Sequence, residues 1–561
     1  MSYLKSLRRL EYLLKSIIVV ASIIFVFLPS FYLFSFVFLR WGEVYTEIFA
    51  NPIIGNYYWL QILRYLSLSF RLALVTVAID MLIGVPLAYL IARKEFPGKK
   101  FIEQLTALPL VIPTSGFGFA TLITWTASES LPALLGLKVR IDTVVPVFEI
   151  PLLVLIVHVS LTFPYIVKTV SAALMDVQKA YEIVSASLGA KPLTTFRKIT
   201  FPLITSSIFS GGVLAFARSL GETGATMIVA GVSTTASVAI VRWEFENKIA
   251  PAAFLGSLLV AIALILILPI EYMLSSRGWK SRGLRLIPQN IEDRLIRLER
   301  RVGRRLSLAK DALSIISLIV IIILPIATLA AFTVAYWERE PYTGRVKGSV
   351  LYQLFGPANY FKAIVSSTIT SFISASISTF LSAYLAIFLV MFIVKSKYGN
   401  IVRALLKVPL VVPTSALGLS MILLWGPYGL NLISPSIWLI ILTHIVFSVP
   451  VIVETSLASY RENNVEFYED TARTLGANPY DVTETITLPM IKRGIIAGSM
   501  LAFTHSLGET GATFLVMGND ITVSTLVVNM VESLAIPASL FASIMLIAIS
   551  FIMLVLISYL T

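Results

Sequence analysis

Two identical eight-residue stretches hold the side chains of this chain that are best placed to do chemistry. They are Ser219-Leu-Gly-Glu-Thr-Gly-Ala-Thr226 and Ser506-Leu-Gly-Glu-Thr-Gly-Ala-Thr513. Each sets a carboxylate, Glu222 or Glu509, inside a segment apolar enough to lie in lipid. An ionisable group there is costly, and by default it marks a path or a partnered contact. A cation precedes each by four residues, Arg218 or His505, so each pair shares one helix face. Counted from Pro202, Glu222 lies about 30 Å along a helix that rises 1.5 Å per residue. We therefore expect the two segments to face each other in the outer part of a path, as its lining or gate. The alternative is that each carboxylate pairs with its own Arg or His and closes a packing contact. A second repeated set is Pro109-Leu-Val-Ile-Pro-Thr-Ser115 and Pro409-Leu-Val-Val-Pro-Thr-Ser415. Thr114, Ser115, Thr414 and Ser415 can hydrogen-bond a passing solute where Pro113 and Pro413 bend the helix, or they can bond their own helix backbone. Arg64, Arg71 and Asp80 are expected near the ends of their span or against neighbours, and His158 and His444 in structural roles. No acid, base and nucleophile cluster together, so no catalytic residue is expected. The absence of cysteine excludes a disulfide framework, a zinc-thiolate site and a thiol nucleophile, and three histidines leave little for a metal. No metal or other cofactor is expected.

The elements that hold these residues must be membrane helices. The 561 residues are 57% hydrophobic and 13% charged, with a mean hydropathy of +0.87, whereas soluble domains carry about 25% charge. A helix crossing the hydrocarbon core needs roughly 20 apolar residues. Twelve runs qualify, approximately 16–39, 62–92, 104–127, 146–170, 204–231, 252–275, 311–336, 364–394, 404–426, 435–457, 494–518 and 536–560. The first follows Lys5, Arg8, Arg9 and Lys15, like a signal peptide. Its apolar run is too long and no small-residue cleavage site follows, so it reads as a retained span.

The net charge of +13 invites a nucleic-acid reading, but its distribution argues for topology. With the N-terminus inside, the inward segments hold 31 of the 44 basic residues and the outward segments hold 9. Basic loops resist translocation. The expectation is a multi-pass plasma-membrane protein with both termini cytoplasmic, in contact with membrane lipid and with no nucleic-acid partner.

The repeats extend over the chain. His158 with Pro164 recurs as His444 with Pro450, and Tyr181-Glu182 as Tyr468-Glu469. The offset falls from 300 at Pro109 and Pro409 to 287 at Ser219 and Ser506. The second copy is thus about thirteen residues shorter, and the shortening falls in the outward loop around 128–145, where length changes are tolerated. An even number of spans per copy gives both copies one orientation, related by an axis along the membrane normal. The expected units are 1–275 and 311–561, each of six spans, joined by an inward basic linker, 276–310. In the linker Glu292, Asp293 and Glu299 stand among the arginines, and its stretch from Ile291 reads as a short amphipathic helix on the inner surface.

The inward loop between the fourth and fifth spans reads Asp470-Thr-Ala-Arg-Thr-Leu-Gly476, then Ile486-Thr-Leu-Pro489, in the second copy. In the first it reads Val184-Ser-Ala-Ser-Leu-Gly189, then Ile199-Thr-Phe-Pro202. Small residues at Ala186 and Ala472 let a short helix lie close against another surface, Gly189 and Gly476 permit a sharp turn, and Pro202 and Pro489 suit the first turn of the next helix. The pattern resembles the Glu-Ala-Ala loop of permease subunits of binding-protein-dependent ABC importers. The second copy keeps an acid at Asp470, whereas the first has Val184 at the acidic position and Phe201 for leucine.

The resemblance implies an all-α polytopic membrane protein of about 12 transmembrane helices, two parallel six-helix repeats with the type I ABC importer permease fold. It also implies a cytoplasmic ABC ATPase dimer docking on both loops and an extracellular solute-binding protein delivering the substrate. No Gly-x-x-x-x-Gly-Lys-[Ser/Thr] occurs, so the motor is expected on a separate chain. Gly-Glu-x-Gly-Ala-Thr resembles molybdate, tungstate and sulfate permeases, while two units in one chain resembles ferric-iron and thiamine permeases. An inorganic oxyanion is set slightly ahead of ferric iron, with thiamine or another small solute as an alternative. The rival from another class is an ion-gradient-driven carrier of twelve helices. Its Gly-x-x-x-Asp-Arg-x-Gly-Arg-Arg loop is absent at Ala92-Arg-Lys-Glu-Phe-Pro-Gly-Lys-Lys.

Overall fold

A computed structural model describes residues 2–50, 53–275 and 289–560. In the first half the main helices are α1 (Ser2–Leu39), α2 (Ile54–Arg93), α3 (Lys99–Ala107), α4 (Thr114–Thr126), α5 (Leu152–Asp176), α6 (Lys179–Ser187), α7 (Phe201–Gly221), α8 (Gly224–Val229), α9 (Ala236–Phe245) and α10 (Ile249–Ser275). The second half repeats the order with α11 (Gln289–Leu318), α12 (Leu324–Ala335), α13 (Tyr360–Lys395), α14 (Gly399–Val411), α15 (Thr414–Trp425), α16 (Ile437–Glu462), α17 (Val465–Thr474), α18 (Leu488–Gly508), α19 (Gly511–Val516), α20 (Val523–Glu532) and α21 (Ile536–Leu560). The chain is thus an all-α polytopic membrane protein. Among the described residues ten helices are long and apolar enough to cross a membrane, or up to twelve if each of two bent pairs is one span. A two-stranded antiparallel pair, β1 (Val144–Val145) and β2 (Ile150–Pro151), closes the loop between α4 and α5.

Proline sets the breaks. The third span turns by 107° between Leu110 and Thr114, and its counterpart by 103° between Val411 and Thr414. Val412 is extended (φ −67°, ψ 129°) because the ring of Pro413 crowds the α conformation of the residue before it. The expected bend is therefore a full break.

At the fifth span the proline acts differently from expectation. The helix does not begin at Pro202 or Pro489 but ten residues earlier, at Pro192 and Pro479, and runs to Gly221 and Gly508. Residues 196–200 and 483–487 form wide turns in which the N–H of Phe201 and Leu488 reach back five residues, to Phe196 and Thr483. A wide turn absorbs a residue that lacks an N–H and crowds the carbonyl four positions back. The same device, at 319–323, precedes Pro325 between α11 and α12.

The basic linker also departs from expectation. The stretch from Ile291 is no separate surface helix but part of α11, which continues without interruption into α12. Residues 276–288 lie outside the described residues.

Each half lends its first span to the other. Val19 and Val26 of α1 sit in a core otherwise built from the second half, among them Leu389, Ile441, Val449 and Ile491. The Phe25 and Trp425 rings lie 6.2 Å apart, and the Ser420 hydroxyl donates to the Pro29 carbonyl. In return Leu318, Ile322 and Leu329 join a core that runs through both halves and holds most of the first half's buried side chains.

Candidate functional site

The repeated octapeptide breaks a helix in each half. After Gly221, Glu222 is extended (φ −69°, ψ 122°), and the helix resumes at Gly224. Glu509 has nearly the same geometry (φ −69°, ψ 125°) before Gly511. The glutamate caps the helix that follows: Glu222 Oε1 accepts from the Ala225 N–H at 3.1 Å, and Glu509 Oε1 from the Ala512 N–H at 3.1 Å. A carboxylate at a helix N-terminus also meets the positive end of its dipole. The other oxygen turns to the cation one turn earlier. Arg218 Nη2 is 2.8 Å from Glu222 Oε2, whereas His505 Nε2 stands 3.7 Å from Glu509 Oε2, beyond hydrogen-bond length. Both carboxylates are almost fully buried.

Two histidines clamp this turn from α5 and α16. His158 Nδ1 lies 2.8 Å from Ser219 Oγ and Nε2 lies 2.9 Å from Thr226 Oγ1; His444 repeats the pattern with Ser506 at 2.5 Å and Thr513 at 3.1 Å. Thr226 already donates to the Glu222 carbonyl (3.1 Å), and Thr513 to the Glu509 carbonyl (2.9 Å). A hydroxyl has one proton to give. Each Nε2 must therefore carry a proton and donate to its threonine. The same carbonyls accept from Ser237 (2.8 Å) and Ser524 (2.9 Å), which open α9 and α20.

The two octapeptides meet face to face. A Cβ on Gly224 would stand 2.6 Å from Thr510 Cβ and 2.8 Å from Thr114 Oγ1; one on Gly511 would stand 2.8 Å from Thr223 Cβ and 3.0 Å from Thr414 Oγ1. The crossing therefore leaves no room for a methyl group. The break prolines interlock with it: Gly221 lies against Pro413, and Gly508 against Pro113. Within each half Gly118 presses on Ala225 and Gly418 on Ala512 at distances only glycine permits, 2.7 Å from an added Cβ. The structure thus brings Thr114, Thr414, Glu222 and Glu509 to one crossing. The hydroxyls of Ser115 and Ser415 are buried beside it with no protein partner, so they do not bond their own helices.

Asp80 is fully buried in α2, where Thr162 of α5 lies 2.5 Å from its Oδ2. Arg71 reaches the loop between α4 and α5, donating to the Phe148 carbonyl (3.0 Å) and Glu149 Oε2 (2.9 Å).

At the opposite ends of these helices stand two helix–turn–helix knobs. Gly189 (φ +84°) and Gly476 (φ +91°) take the left-handed conformation that ends α6 and α17. Matched bonds close the turns, Gly189 N–H to Ala186 and Ala190 N–H to Ser185, then Gly476 N–H to Arg473 and Ala477 N–H to Ala472. Shared glycines fix the register at 287, which places Ile183 opposite Asp470 and Ser185 opposite Ala472. The first-copy motif is therefore one residue earlier than the spacing reading set it. The small residue matching Ala472 is the buried Ser185, bonded to Thr195 Oγ1 at 2.9 Å, and Ala186 is exposed. Asp470 is exposed as well, 3.1 Å from Arg473, while Ile199 and Ile486 are half-buried.

Two pairs of residues that the sequence showed only as repeats, or not at all, complete the knobs. Glu182 is held by Arg93 (3.1 Å) and Thr200 (3.0 Å), and its counterpart Glu469 by Arg473 (2.9 Å) and Thr487. These carboxylates tie each short helix to the base of the following span. Leu188 and Leu475, one residue before the glycines, are each 84% exposed at the tips. Their identical placement before the repeated glycine was the available signal.

The description "binding-protein-dependent transport system inner membrane component" matches residues 84–278. A molybdate/tungstate transport system permease protein of Pyrococcus furiosus is 32% identical over 205 residues, 36% of this chain and 75% of that protein. A molybdenum transport system permease protein of Mycobacterium tuberculosis is 33% identical over 212 residues, 36% of this chain and 77% of its own length. A probable sulfate transport system permease protein of Helicosporidium is 28% identical over 220 residues, covering 38% and 75%. Each similarity covers little more than a third of this chain and about three quarters of the relative. With its broken spans and apolar helices, this chain belongs to the family of binding-protein-dependent transport system inner membrane components, as a multi-pass ABC permease.

Proposed function

We propose that the chain forms the translocation path of an ATP-driven importer for a small inorganic oxyanion of the molybdate, tungstate or sulfate type. An extracellular solute-binding protein delivers the anion, and a cytoplasmic ATPase dimer drives the knobs 179–202 and 465–489. On this reading 1–275 and 311–561 are two permease units, the basic-residue bias sets both termini inside, and ATP hydrolysis belongs to the separate subunit.

The observation that carries the reading is the crossing, where one of the two carboxylates, Glu222, is matched by a guanidinium. Glu222 is neutralised by Arg218 and by a helix N-terminus, so an anion passing there meets a guanidinium and not a bare carboxylate. When the halves part, the hydroxyls of Thr114, Ser115, Thr414 and Ser415 become donors to the anion's oxygens. The two serines have no protein bond to break first. Relatives named for molybdate, tungstate and sulfate support the same cargo. Ferric iron, suggested by two carboxylates and by two units in one chain, is disfavoured because Glu222 already faces the Arg218 guanidinium, whose positive charge repels a cation.

The test is uptake by vesicles holding the chain with its ATPase, supplied outside with binding protein and labelled molybdate or sulfate. The expected result is accumulation that needs internal ATP. Accumulation driven by an ion gradient without ATP would overturn the reading in favour of a secondary carrier.

A further inference from the structure

The two knobs are capped by different means. In the second, Asn478 accepts the N–H groups of Tyr480 (2.9 Å) and Asp481 (3.2 Å) on its own Oδ1 and donates to Asp481 Oδ2 at 2.6 Å. This local cap opens the long helix Pro479–Gly508. The matching position in the first knob is Lys191, which cannot accept a hydrogen bond. The two equivalent N–H groups, those of Leu193 and Thr194, are nevertheless satisfied. They donate to Glu299 Oε1 at 2.6 and 3.2 Å, and the Thr194 hydroxyl donates to Glu299 Oε2 at 2.6 Å. Glu299 lies in α11, more than a hundred residues away, and is 4% exposed despite its charge.

Beneath the contact is a cavity of about 840 Å³ edged by Tyr89, Leu193, Phe196 and Leu306. Farther along, α11 is attached to the end of α2, where Lys94 pairs with Asp311 and Lys310 lies over the Tyr89 ring at 5.5 Å. From Glu299 the helix runs on unbroken into α12 of the second half.

We propose that Glu299 is a positioning residue for energy coupling. It replaces the cap missing at Lys191 and pins the first knob to the first span of the second unit. Motion of this knob then moves α7 of its own half and α12 of the other together. The proposal rests on the reading that an ATPase drives the knobs.

The test uses the full chain with its ATPase and binding protein in vesicles, following ATPase association, stimulated hydrolysis and anion taken up per ATP. Glu299→Ala should lower uptake per ATP several-fold. Adding Lys191→Asn restores a local cap without the tie, so it should recover association and hydrolysis but not uptake per ATP. The chain has no native cysteine, so Thr194→Cys with Glu299→Cys offers a reversible tie that also serves if the alanine variant folds poorly. Uptake per ATP should be high when the pair is oxidised and fall on reduction. Full recovery of uptake per ATP in Glu299→Ala/Lys191→Asn, or equal coupling of the cysteine pair in both redox states, overturns the proposal. If the unaltered chain fails to bind its ATPase, the underlying reading falls instead.

Discussion

Arg218 and His505 occupy equivalent positions, yet they hold their glutamates differently. The guanidinium reaches hydrogen-bond distance of Glu222, and the imidazole stops 0.9 Å farther from Glu509, at 3.7 Å against 2.8 Å. Removing one partner of a buried pair strands the other charge, at a cost of about 3–5 kcal/mol, while removing both together costs far less. Arg218→Leu should therefore lower the thermal unfolding midpoint in lipid clearly, Glu222→Leu somewhat less, and the double variant less than Arg218→Leu alone. Simple additivity of the two shifts would show that the pair is not coupled. The paired carboxylate and cation were legible in sequence, because an intramembrane charge stands out against an apolar background. Their capping role was not. Spacing alone could not show that the helix stops at Gly221 and that Glu222 turns to the N–H of Ala225. The one-residue slip at Val184 and Ala186 has a similar origin. Small residues alternate through 185–187, and only the glycine-anchored turn bonds of Ser185 and Ala472 fix which position matches which.

Among the elements, the knobs expose a large apolar side chain at each tip. Leu188 and Leu475 project from tight turns whose glycines, at φ +84° and +91°, have open space around them. At Gly476 a side chain meets no neighbour, so its cost is conformational, on the order of 1–2 kcal/mol for a residue forced left-handed. Gly476→Asp should leave insertion intact but weaken co-purification of the ATPase. Gly476→Asn, which tolerates that conformation better, should do less, and Leu475→Asp should weaken association without straining the turn. Unchanged association in Leu475→Asp would remove the tip from the docking surface. The proline breaks at Pro113 and Pro413 could be read from sequence, since the residue before a proline avoids the helix. Helices α9 and α20 could not. They are ten-residue segments that follow the crossing, and no span-length window resolves them.

For the molecule as a whole, the duplication was plain in the motifs, but the exchange of first spans was not. Residues 16–39 and 311–336 share no motif, and hydropathy does not record which neighbour a span packs against. Yet Val19 and Val26 complete the core around Leu389 and Ile441, and Leu318 and Ile322 join a core shared by both halves. Neither half then buries its own apolar surface when alone. Without the second half, α1 loses Trp425 and Ser420, and the crossing exposes Gly224 and Thr114 where Thr510 had covered them. In lipid, where apolar side chains gain nothing by leaving the solvent, such packing and hydrogen bonding are the main forces between helices. Expressed as two chains divided within 276–288, the halves should assemble with each other and co-purify in equal amounts. Either half alone should aggregate or be degraded in the membrane. The divided pair keeps Glu299 on the second chain, so it should also retain the contact with Leu193 and Thr194. Stable accumulation of the first half alone, with unfolding like that of the pair, would show that the exchanged helices add little and that each unit is complete by itself.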